Sequence, residues 1–168
     1  MPRGAGLWSG NHVRPYPKSK PEIDPLTLAE RLLVLALLAQ IVWTFLVMLA
    51  AGRARFHSVR AGKAPKRAML EPYGWPDKTQ QIANNMNNQF ETPTLFYALG
   101  LLALVLKLVS LPLAVFAWVY VAARIGHTVV HAGSNALRRR GPIFLVGVVA
   151  LMIMTAMLAV PILVGRPV

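Results

Sequence analysis

Four apolar blocks run through the sequence, and two of them are too short to do what their composition suits them for. Residues 32–51 are twenty in number, interrupted only by Gln40 and Thr44. At 1.5 Å per residue they cross about 30 Å of hydrocarbon as a helix. Residues 142–164 are also long enough alone. Residues 93–106 give fourteen positions before Lys107, and residues 108–123 give sixteen before Arg124. At about 21 and 24 Å each falls short of the membrane. Each is expected to be completed by its polar neighbour, residues 84–91 on one side and 124–131 on the other. The expected fold is an all-α integral membrane protein, a four-transmembrane-helix antiparallel bundle with spans of about 26–51, 82–107, 109–135 and 142–164.

Composition narrows the partners. Hydrophobic residues make up 55% and charged residues 14%, against about a quarter charged in an ordinary soluble domain. That apolar content excludes disorder for the bulk of the chain. The net charge of +12 sits between apolar blocks instead of covering a hydrophilic surface, so the expected partner is the lipid bilayer and not a nucleic acid. The chain has no cysteine, which removes disulfides, a protein thiolate and cysteine-ligated metals. Residues 1–25 hold five prolines and three glycines and are expected to form an extended arm. Asp24-Pro25 reads as an N-cap followed by a first-turn proline. No signal-peptide-type hydrophobic region precedes the first span, which is expected to act as a signal-anchor. Residues 52–80 and 138–140 together carry ten cations, against seven on the opposite side. The positive-inside rule then places both termini outside the cytoplasm.

The second and third spans carry facing polar residues. Counted from Leu108 as the turn, Glu91 lies 17 residues before and Arg124 16 after, Asn88 20 before and His127 19 after, Asn84 24 before and His131 23 after. In straight antiparallel helices these pairs share depths, with Glu91 and Arg124 about 25 Å from the turn. Asn84, Asn87, Asn88 and Glu91 share one helical face, and Arg124, His127, Thr128, His131, Asn135 and Arg138 form another stripe. A charge on a lipid-facing helix costs roughly 2.5–3.5 kcal/mol at the membrane centre, so these groups are expected to turn inward. Glu91 with Arg124 is the expected ion pair. The plainer alternative is that the groups only satisfy one another and hold the bundle together.

The run Asn84-Asn-Met-Asn-Asn-Gln-Phe-Glu91-Thr-Pro93, with Arg124-Ile-Gly-His127-Thr-Val-Val-His131 and the arginines at 138–140, resembles the MAPEG proteins, membrane-associated proteins in eicosanoid and glutathione metabolism. These include microsomal glutathione transferases, leukotriene C synthase and microsomal prostaglandin E synthase. The resemblance covers residues 26–165 and is closest to the bacterial branch. It implies a homotrimer in a bacterial inner membrane, with glutathione held between neighbouring subunits. By the family pattern, Arg53, Asn84, Asn88, Glu91, Arg124 and His127 fall at cofactor-binding positions, and Arg138 or Arg140, helped by His131, at thiol-activating ones. Asn84 stands where the family has Arg, and His131 where it has Tyr. Asn keeps hydrogen-bond donors but supplies no charge.

The implied activity is a glutathione-dependent transferase or peroxidase acting on apolar electrophiles that arrive through the bilayer. A free thiol titrates near 8.5 and reacts as thiolate. Lowering that value by two units takes about 2.7 kcal/mol of preferential thiolate stabilisation, which a well-placed Arg in a low-dielectric site can largely supply. Two other classes compete. His127 and His131, four apart on one face, could share a metal or haem with Glu91, although two hydrogen-bonded bundle histidines account for the same spacing without a metal. The chain could instead be a non-catalytic accessory or scaffold subunit, with the N-terminal arm engaging a membrane-complex partner.

Overall fold

The structure, a computed structural model, describes residues 25–69, 71 and 73–165. The expected arm, the Asp24 cap and Arg166 lie outside the described residues, apart from Pro25. The described chain is all-helical: α1 (Leu28–Arg60), α2 (Asp77–Asn87), α3 (Thr92–Val105), α4 (Leu111–Ala132) and α5 (Leu137–Leu163), with 3-10 turns at Lys66–Met69 and Asn88–Phe90.

Helix α1 starts at a capping box. The Thr27 hydroxyl accepts from the Glu30 amide, and the Glu30 carboxylate accepts in return from the Thr27 backbone, so two otherwise unpaired donors are satisfied together. The helix does not stop where its apolar block ends. Its 33 residues span about 50 Å, nine residues past Ala51. Gly62, at φ +65°, then supplies the left-handed turn that ends it.

The expected second span is not one helix. The ring of Pro93 excludes the carbonyl of residue 89 from the helical ladder and removes one donor. The chain responds with the 3-10 turn Asn88–Phe90 and a break at Glu91 (φ −92°, ψ −95°) before α3 begins. Among the described residues three helices, α1, α4 and α5, are long and apolar enough to cross a membrane. Helix α3, with fourteen residues, covers about 21 Å.

Helix α4 is central. It begins at the Ser110 cap with Pro112 in its first turn, and it packs most extensively against α5 and α1. Toward the α3–α4 turn the packing is apolar, built on Leu33 and Leu37 of α1, Phe96 of α3, Leu113 and Ala117 of α4, and Met154 of α5. Phe96 stacks on Tyr120 with ring centroids 4.5 Å apart, and the Tyr120 hydroxyl donates to Thr92 Oγ1 at 3.2 Å. Gly100 lets α3 close on α1: a β-carbon there would stand 2.7 Å from a methyl of Leu37. Such small-residue contacts suit helices that gain little from hydrophobic association in lipid.

Candidate functional site

The expected inward stripe holds only as far as His131: α4 ends at Ala132, and Asn135 and Arg138, set beyond that end, are exposed. Arg124 is only 2% exposed, and His127, Thr128 and His131 are buried with it. What faces them differs from the expected ladder. Asn88 meets His131, not His127, with its Nδ2 3.3 Å from His131 Nδ1. The guanidinium of Arg124 donates to the Asn88 carbonyl at 2.5 Å. Asn84 turns back along its own helix and accepts from Gln80 at 2.8 Å. Glu91 is exposed, and no ion pair joins it to Arg124. The 3-10 turn and the break at Glu91 cause this offset, because they change the rise and the direction of side chains that a straight helix would have held in step.

Two residues of α2 tie it to the end of α4. Lys78 Nζ donates to the carbonyls of Ala132 and Gly133 at 2.6 and 3.1 Å. Gln81 Nε2 donates to those of His131 and Gly133. A helix C-terminus leaves its last carbonyls unpaired and carries partial negative charge, so a lysine and an amide are suited to it. Helix α1 closes the third side through amides. Gln40 Nε2 donates to Gln89 Oε1 at 3.4 Å, and Gln89 Nε2 donates to Thr128 Oγ1 at 3.1 Å. Trp43 Nε1 reaches the same hydroxyl at 3.4 Å. Sequence reasoning treated Gln40 only as an interruption and gave Gln89 no role. The available signal was the cost of leaving an amide on a lipid-facing surface, which directs a lone Gln in an apolar block inward.

Beside this network lies a cavity of about 280 Å³, lined by Asn88, Glu91, His127, Leu137, Arg140, Gly141 and Phe144. Arg140 is positioned by its NH1 bond to Asn135 Oδ1 at 2.7 Å. Its backbone carbonyl lies 3.3 Å from His127 Nδ1. A carbonyl can only accept, so Nδ1 carries the proton, and Nε2 of the neutral ring is an acceptor. That Nε2 is buried and has no partner among the described residues. The amide nitrogen of Asn88 can only donate, so His131 has the opposite tautomer. Two more buried donors, Nε and NH1 of Arg124, are unpaired. Unsatisfied donors and acceptors are costly in a low-dielectric setting.

The structure therefore brings Asn88, Glu91, His127 and Arg140 to one cavity, with Arg124 and His131 bonded to its Asn88 side. Asn84 is engaged with Gln80. Arg53 and Arg138 are exposed at the same end of the bundle and line no part of the cavity. Among the described residues no three His, Cys, Asp or Glu side chains converge as a metal site. The His127 and His131 rings stand at 77° with centroids 5.5 Å apart, and each Nδ1 is bonded elsewhere. Thr92, next to Glu91, heads an apolar groove of about 390 Å³ between α3 and α5, with Leu95, Leu99, Leu151 and Met152 in its walls.

No curated protein and no solved structure matches the chain. The sequence model of the MAPEG family matches residues 33–160, a stretch that contains the whole α1–α2–α4 polar network and every residue of the cavity. The chain belongs to the MAPEG family.

Proposed function

We propose that the protein is a glutathione-dependent transferase or peroxidase acting on apolar electrophiles, with the cavity beside Arg140 as its thiol site. The carrying observation is that Arg140 and His127, whose buried Nε2 has no partner among the described residues, line one cavity, with an apolar groove beginning at Thr92, next in the chain to the cavity's Glu91. The residues lining the cavity fit glutathione: the Arg140 guanidinium suits a carboxylate or the thiolate, and Glu91 suits its ammonium group. Bound glutathione supplies the sulfur nucleophile that this cysteine-free chain lacks.

The protein's own residues then have separate tasks. Arg140, held by Asn135, favours thiolate over thiol by its charge. His127 Nε2, the unprotonated nitrogen of a ring anchored at Nδ1, accepts the thiol proton. Asn88 and Glu91 orient the peptide, and Leu137 and Phe144 keep water away from the sulfur. Apolar substrate enters from the bilayer along the α3–α5 groove. In this reading the broken segment 77–105 serves as the second of four crossings. The protein works as a homotrimer in a bacterial inner membrane with its termini outside the cytoplasm. Arg53 and Arg138, exposed on their own subunit, serve the site of a neighbouring copy.

The test is thiol-dependent turnover of an aryl halide and of an alkyl hydroperoxide by detergent-purified protein. Changing Arg140→Ala is expected to cost at least tenfold in kcat/KM, about 1.4 kcal/mol of transition-state stabilisation. Full activity in that variant would remove Arg140 from the mechanism. Absence of turnover in the unaltered protein, with a larger membrane complex co-purifying, would favour the accessory-subunit reading.

A further inference from the structure

Helix α1 continues well past the hydrocarbon it crosses. Phe56 lies 24 residues beyond Leu32, about 36 Å along the axis. With ordinary tilt this puts it in the headgroup layer that flanks about 30 Å of hydrocarbon. Phe56 is 63% exposed there and Val59 is also exposed. Arg60 follows one turn after Phe56 on the same face, and Lys63 and Lys66 follow in the chain leading off the helix. All three cations are exposed.

Three other cations at this end of the bundle have intramolecular work. Arg55 sits over the Trp75 ring at 5.7 Å, Lys78 caps α4, and Arg140 is bonded to Asn135. Arg60, Lys63 and Lys66 have no bond to an acidic side chain among the described residues. They also line no part of the thiol cavity. The charge balance around them is one-sided: residues 52–80 hold seven Lys and Arg against Glu71 and Asp77. A topology signal alone needs the cations but gives no reason for an exposed phenylalanine and valine at the same level.

We propose that this face, with Phe56 and Val59 against the acyl boundary and Arg60, Lys63 and Lys66 above it, is a docking site for the phosphate headgroups of acidic phospholipids. The apolar pair fixes depth while the three cations meet the lipid phosphates, the arrangement by which juxtamembrane basic segments select acidic lipid. The contact seats the end of α1 in the headgroup layer without involving the cavity.

The test uses the full chain in phosphatidylcholine nanodiscs containing spin-labelled phosphatidylglycerol or spin-labelled phosphatidylcholine, with the motionally restricted fraction read by electron spin resonance. The unaltered protein is expected to prefer phosphatidylglycerol roughly threefold. That preference is expected to fall to about one in the combined Arg60→Gln, Lys63→Gln, Lys66→Gln variant. It should fall likewise for the unaltered protein at about 1 M NaCl, where the screening length is about 3 Å. Arg31→Gln with Lys107→Gln, at the opposite end, should leave it unchanged. Equal association of the two lipids with the unaltered protein would overturn the proposal, as would a preference that survives the triple substitution or high salt.

Discussion

Toward the α3–α4 turn, the bundle closes on Leu33, Phe96, Leu113 and Met154, side chains with nothing to hydrogen-bond. Toward the basic end, the same α4 turns Arg124, His127, Thr128 and His131 inward against Asn88, Gln89 and Gln40. The apolar half is held by shape, with Gly100 admitting Leu37 and Phe96 stacked on Tyr120. The polar half is held by pairing, and its pairing is incomplete. Every buried side-chain atom without a partner among the described residues belongs to this half: Gln40 Oε1, Asn85 Oδ1, His127 Nε2, Arg124 Nε and NH1, and Arg55 Nε. A region selected only to hold helices together would be expected to satisfy such atoms, as buried polar groups generally are. The proposed thiol site lies in this polar half.

The comparison predicts different responses to substitution. The largest loss of stability should come from the apolar half. Phe96→Ala removes a fully buried ring from between α3 and α4 and should cost about 3 kcal/mol or more, read as a lower midpoint in detergent unfolding. Any folded fraction should keep its cavity. In the polar half, Gln89→Leu should cost about 1–2 kcal/mol, because it strips partners from Gln40 and Thr128 while leaving them buried. Adding Gln40→Leu should recover part of that loss, since removing both members of a buried polar pair is cheaper than removing one. Additive losses in that cycle would show that the two amides do not act together.

Much of this was legible in the sequence for a physical reason. The apolar blocks located the long helices, and the 3.6-residue spacing of Arg124, His127 and His131 turned them to one face. The two short blocks pointed to the two polar segments, 84–91 and 124–131, that meet through Asn88, Gln89, Arg124, Thr128 and His131. Arg140 was among the expected residues, although its separation from the exposed Arg138 needed the start of α5 to be placed. The Glu91–Arg124 ion pair expected from counting along straight helices does not form, and Arg124 bonds the Asn88 carbonyl instead. Pro93 signalled a disturbance, but its size depended on how Asn88–Phe90 tightened and how Glu91 broke the ladder. Gln89 was hidden because its partners come from two other helices, 49 residues before it and 39 after it. No local pattern specifies that meeting. Asp24-Pro25 is the stronger local signature, but the pair that caps α1 in the structure is Thr27 with Glu30.

The most direct measurement of the central claim is calorimetric titration of glutathione into detergent-purified protein, with Arg140→Ala in parallel. Saturable binding that weakens by at least tenfold in Arg140→Ala is the predicted result. No heat of binding at millimolar glutathione, or binding indifferent to Arg140, would contradict the assignment of the cavity as a thiol site.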